Sequence, residues 1–138
     1  MAYTTLRPDI DIIEDIEDLI AHYPPTMRDR HHIHIGAQAG AVTVSGYVKS
    51  PNTRSFLLEN IPLVIGVRSV HADELYDDES IRLDVGKLIE PGVMFANVEY
   101  GTVVLSGRLP PGKTAEEYVR QVAQVPGVRR VVTAFKNV

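Results

Sequence analysis

Five histidines, His22, His31, His32, His34 and His71, are the side chains best suited to chemistry near neutral pH, because imidazole both exchanges protons and ligates metals. Strand alternation puts His32 and His34 on one face of a strand, and His71 falls on a later strand. These three are the candidates for a metal site or a pH-dependent surface. A metal site needs three or four convergent ligands, and the sequence marks no carboxylate as an obvious further ligand. Ordinary exposed histidines are the plainer account. The acids Asp9, Asp11, Glu14, Asp15, Glu17 and Asp18 offer oxygen ligands, but the loop glycine and closing Glu of a calcium loop are missing. A solvated helix face, with acids favoured near the helix N-terminus, fits them better.

Nucleophilic chemistry finds less support. The chain has no cysteine, hence no thiolate, disulfide or thiolate zinc site. It has no Gly-x-Ser-x-Gly elbow, no phosphate-cradling glycine loop and no His-Glu-x-x-His. No catalytic residue and no cofactor are expected, and the protein reads as a non-enzyme. A basic set near the C-terminus, Arg120, Arg129, Arg130 and Lys136 with Lys113, is the candidate contact for an anion or a lipid head group. A solvated basic surface is its simpler explanation. The net charge of −4 over 138 residues argues against nucleic acid as the main partner.

The elements that position these residues follow from an internal repeat. Gly40-Ala-Val-Thr-Val-Ser-Gly-Tyr-Val48 matches Gly101-Thr-Val-Val-Leu-Ser-Gly-Arg-Leu109 at an offset of 61. The same offset carries Gly66-Val67-Arg68-Ser69-Val70 to Gly127-Val128-Arg129-Arg130-Val131. Two domains, 1–76 and 77–138, are therefore expected. In the first, Ile10, Ile13, Ile16 and Ile20 mark a helix stripe that Pro24-Pro25 ends. Ile33 to Gln38 and Val42 to Val48 alternate as a hairpin around Gly40. Ser50-Pro51 starts a second helix carrying Leu57, Leu58 and Ile61, and Val67 to Asp73 is a third strand. The second domain repeats the order: a helix from Asp77 to Ile89, a hairpin with Met94, Ala96, Val98, Val103, Leu105 and Leu109 inward, a helix opened by the capping box Thr114-Ala115-Glu116-Glu117, and a strand from Val128 to Phe135. The fold class is α+β: two tandem α-β-β-α-β domains, each a three-stranded mixed sheet with two helices on one face. The crossover helix makes the third strand parallel to the second.

The cores are expected at Ile13, Ile16, Ile20, Ile33, Ile35, Val42, Val44, Leu58, Ile61 and Val70, then at Ile81, Val85, Met94, Ala96, Val103, Leu105, Val119, Val122 and Val131. The repeated glycines Gly40, Gly46, Gly66, Gly101, Gly107 and Gly127 read as structural. Gly46 and Gly107 suit close helix packing, and Gly66 and Gly127 the left-handed turn after a helix. On the open sheet face the repeat sets Phe95, Val104 and Val132 where the first domain has His34, Thr43 and His71. Phe95, Val104 and Val132 are the candidate partner contact, with the other domain as the first occupant and a second chain in a homo-oligomer or a lipid surface next.

Helix, strand, Gly-x-Val-x-Val/Leu-Ser-Gly, helix and Pro/Ile-Gly-Val-Arg-x-Val together resemble the BON domain family, named for bacterial osmotically inducible and nodulation proteins. The resemblance runs from about Asp9 to Val138 as two copies, the second matching better. It implies a bacterial, stress-response type of binding module. The ligand it implies is envelope phospholipid or an envelope protein; the alternative is a cytoplasmic sensor of a small ion such as potassium, and a third reading is a protein-protein module that regulates a larger assembly. No signal sequence, transmembrane segment or lipid-anchor cysteine is seen, so a soluble cytoplasmic protein is expected, or a periplasmic one had a leader been removed.

Overall fold

In the computed structural model residues 6–136 are described, so the outermost ends of the two expected domains, 1–5 and 137–138, lie outside the described residues. The chain divides into two compact units, Met1–Leu75 and Tyr76–Val138. Each is a helix, an antiparallel hairpin, a second helix and a strand parallel to the hairpin's second strand. The α+β class and the mixed sheets are as the periodicity indicates.

In the first unit α1 is Asp9–His22. Its buried line is Ile12, Ile16 and Ile20, not the expected Ile13, Ile16 and Ile20, and Ile10 is 64% exposed. Strict i, i+4, i+8 spacing makes a narrower stripe than the run of isoleucines suggests, and the packed face selects one phase. The Pro24-Pro25 pair ends α1 but also opens α2 (Pro24–Asp29), since proline is well placed in a first helical turn. A 3₁₀ turn, Arg30–His32, follows. The hairpin is β1 (Ile33–Gln38) and β2 (Ala41–Val48). Helix α3 (Pro51–Asn60) is capped by Ser50, whose hydroxyl accepts the Thr53 N–H, and Pro62 closes it into a 3₁₀ turn. Leu57 rather than Leu58 is fully buried on it. The third strand is only β3 (Ser69–His71), shorter than expected. A fourth short strand, β4 (Leu75–Asp77), also pairs with β2 and is an addition to the expected order. Arg54 of α3 spans the break, donating to the carbonyls of Ala72 and Leu75 at 3.1 and 2.8 Å.

In the second unit α4 is Asp78–Gly86, with Asp77 as its cap rather than its first residue; Leu88 and Ile89 lie past its end. The sheet is β5 (Met94–Glu99), β6 (Thr102–Gly107) and β7 (Arg130–Phe135), with β6 central. Helix α5 (Ala115–Val122) begins at the Thr114/Glu117 capping box. Ile81, Val85, Met94, Val103, Leu105 and Val122 are buried as expected. Val98, Tyr118 and Val125 join them, while Ala96, Val119 and Val131 are only partly covered.

One device recurs in both units. The Asp9 carboxylate accepts the N–H groups of Ala39 and Gly40 at 2.8 and 3.0 Å. Asp78 does the same for Tyr100 and Gly101 at 2.8 and 3.1 Å. All four N–H residues have positive φ, the two-residue turn that suits strand twist. Asp9 thus holds a hairpin rather than belonging to a purely solvated helix face. The two aspartates lie 69 residues apart while the turns lie 61 apart, so the first unit has eight more residues before its hairpin. Helix α2 and the 3₁₀ turn take up that length. Asp29 at the end of α2 is fully buried and accepts the Lys49 N–H at 2.9 Å.

Gly46 and Gly107 need a reason other than helix packing. Both have positive φ, and a Cβ would lie 1.9 Å from the His32 carbonyl oxygen and 2.1 Å from that of Val93. The backbone that enters each hairpin crosses there, so only glycine fits.

Candidate functional site

Alternation in β5 turns Met94 and Val98 into the core and Phe95 outward. In the sheet register Val104 stands between Asn97 and Val132, and Ser106 between Phe95 and Ala134. Phe95, Val104 and Val132 therefore share the open face, as strand parity predicts. Val104 and Val132 are half-buried, and Phe95 is 57% exposed.

Two grooves meet at the Phe95 ring. One, of about 630 Å³, runs from the end of α4 to β5 and is lined by Arg82, Leu83, Lys87, Ile89 and Pro91 with Met94 and Phe95. The other, of about 590 Å³, is lined by Val93, Phe95, Ser106, Arg108, Ala134 and Lys136. Neither has an acidic side chain in its lining. Each thus combines apolar walls with two cations. Lys87 also lies 3.4 Å from Asp84 on the exposed side of α4. Exposed Leu83 and Val93 extend the apolar surface around Phe95.

The expected anion set does not gather in one place. The N–H groups of Arg129 and Arg130 both meet the Gly101 carbonyl, whereas the Lys136 N–H meets that of Gly107, at the other end of β6. A strand of this length separates them by roughly 20 Å. Arg120 is exposed on α5. Lys136 instead joins Arg108, whose N–H continues the ladder to the Val93 carbonyl. Arg82, Leu83, Lys87 and Arg108 escape the sequence reading. The available signal is Leu83, an apolar residue out of phase with the Ile81/Val85 stripe, with Arg82 before it and Lys87 one helical turn on.

In the first unit the equivalent face is polar. His34 pairs with Ser45 and His71 with Thr43, on opposite sides of β2, so two strand spacings, about 10 Å, part the two histidines. His32 lies in the 3₁₀ turn rather than on β1. Among the described residues no three His, Asp or Glu side chains come close enough to hold a metal ion. Nor is any helix there long and apolar enough to cross a membrane.

Residues 77–136 match the BON domain family. No curated protein matches the sequence. The fold resembles the C-terminal domain of CdsD, the structural protein of the type III secretion system of Chlamydia trachomatis, with a TM-score of 0.78 at 14% identity, covering 96% of this chain and 68% of that one. A second CdsD structure gives 0.74 at 16% identity, covering 96% of this chain and 64% of that one. At such identity the likeness is one of fold.

Proposed function

We propose that this protein is a non-enzymatic binding module that works within a protein assembly, and that its second unit, the BON domain, receives a protein partner at the grooves on either side of Phe95. The observation that carries this reading is the meeting of exposed Phe95, Leu83 and Val93 with Arg82, Lys87, Arg108 and Lys136 on one surface. An aromatic residue with arginines at its rim is a composition that protein contacts favour. The first unit is a second, diverged copy of the same fold, supported by its shared element order and its repeated aspartate clamp. Likeness to a secretion-system structural protein supports a structural setting for both.

A lipid reading draws on the same four cations, which suit anionic head groups. The test replaces Phe95 with a photo-crosslinking phenylalanine analogue in the native cell, with position 113 as control. The expected result is a protein adduct at position 95 and none at 113. Vesicles of phosphatidylglycerol form the other arm. If they capture the wild type but not Phe95→Ser, and position 95 gives no protein adduct, the partner is lipid and the protein reading falls.

A further inference from the structure

The first unit carries a surface of opposite character to the Phe95 grooves. The turn after α3 leaves Leu63 and Ile65 76% and 77% exposed, the barest large apolar residues described. Their counterparts at the offset of 61 are Gln124 and Pro126, so this apolar tip belongs to the first unit alone. Arg7 ties the tip to α1: one guanidinium nitrogen donates to the Ile65 carbonyl at 2.7 Å, and the other lies 2.7 Å from the Asp15 carboxylate. On α1 itself Ile10 is 64% exposed, and Glu14, Asp15, Glu17 and Asp18 are exposed around it. Ile10 thus stands among carboxylates on α1, and the apolar tip is joined to that acidic helix through the Arg7–Asp15 pair, with Arg7 and Arg68 the cations beside it. The Phe95 surface bears apolar grooves among cations.

We infer that the partner received at the Phe95 grooves is the Leu63/Ile65 tip and acidic α1 of a second copy of this chain. The inference rests on the reading of Phe95 as a protein contact and names the partner. Charge complementarity selects the occupant: exposed leucine and isoleucine enter the apolar grooves while the α1 carboxylates meet Arg82, Lys87, Arg108 and Lys136. A lipid would meet those cations as well, but anionic head groups would repel the carboxylates of α1 beside the tip. Because the two surfaces are different patches, the contact is heterologous, first unit to second unit, between copies.

The test uses the full chain and two variants altered only at exposed positions. One carries Leu63→Asp with Ile65→Asp; the other carries Phe95→Asp with Lys87→Glu. Sedimentation velocity is expected to show concentration-dependent association of the wild type, weakened at least roughly tenfold as salt shortens the Debye length from ~10 to ~3 Å. Each variant alone is expected to be monomeric. Mixed in equal amounts they are expected to form a dimer containing one of each, since each retains the surface that the other lacks. Circular dichroism checks that both variants fold; if one does not, Ile65→Ser and Phe95→Ser serve in its place. A wild type that stays monomeric at every concentration overturns the inference. So does a mixture that gives no mixed dimer, or variants that associate like the wild type. A monomeric wild type that still crosslinks from position 95 to another protein overturns this inference alone and leaves the proposed function standing.

Discussion

At three equivalent strand positions the first unit has His34, Thr43 and His71, and the second has Phe95, Val104 and Val132. The third strand differs as well. In the second unit β7 pairs along all six residues of β6; in the first, β3 pairs with three residues of β2 and then breaks, with Arg54 bridging the gap. The packed sides of the two sheets are nonetheless built alike, from Val42 and Val44 in one and Val103 and Leu105 in the other, all fully buried. The same architecture tolerates exchange on its open face because those side chains are not locked among neighbours, whereas the packed face tolerates little. The surface character of a unit is thus decided where the fold constrains it least.

The largest effect is expected where the two units are forced to agree. Gly46→Ala and Gly107→Ala each drive a Cβ into a backbone carbonyl at positive φ, and each should cost on the order of 3–4 kcal/mol. Urea unfolding of each variant measures it. A loss at one position only would show that the two hairpins do not share this crossing. Next comes truncation of the packed face. Leu105→Ala should cost about 3–4 kcal/mol and Val44→Ala about 2–3, by the cavity left in each small core. A loss under about 0.5 kcal/mol in either would reverse the assigned strand parity.

The clamps provide a finer comparison. Asp78 is 5% exposed, while Asp9 is only partly buried. Asp78→Ala should therefore cost about 2–3 kcal/mol and Asp9→Ala about 1, because the orphaned turn N–H groups of the second unit reach water less easily. Equal losses would remove the distinction in burial between the two turns. Amide exchange at Tyr100 and Ala39 gives a direct local reading. The helix phase can be sharpened the same way: Ile12→Ala should cost about 2–4 kcal/mol and Ile13→Ala under about 1.

The smallest stability change is expected from carrying the second unit's open face into the first. His34→Phe, Thr43→Val and His71→Val together should alter unfolding by no more than about 0.5 kcal/mol per site. The change should appear instead as retention on a hydrophobic column, since the new side chains stand on an open face. A loss of several kcal/mol would mean that the native polar face contributes to the fold.

Elements whose order depends on near neighbours are legible along the chain itself. The hairpins around Gly40 and Gly101, the Ser50 and Thr114 caps and the parallel third strand follow from turn chemistry, capping and crossover handedness, each set within a few residues or by chain geometry. The shared open face of Phe95, Val104 and Val132 is legible too, because strand parity leaves only two faces. What the chain order conceals is everything set by distant contact. The Ile12 phase of α1 depends on which side finds the sheet, and several isoleucines are eligible. The break between β3 and β4 depends on Arg54 reaching carbonyls about twenty residues away. The cations around Phe95 come from α4, from the end of β6 and from beyond β7, so proximity in sequence points instead to Arg129 and Arg130. Periodicity decides which face a residue takes; only packing in three dimensions decides which faces meet, because contact energy depends on distance in space and not along the chain.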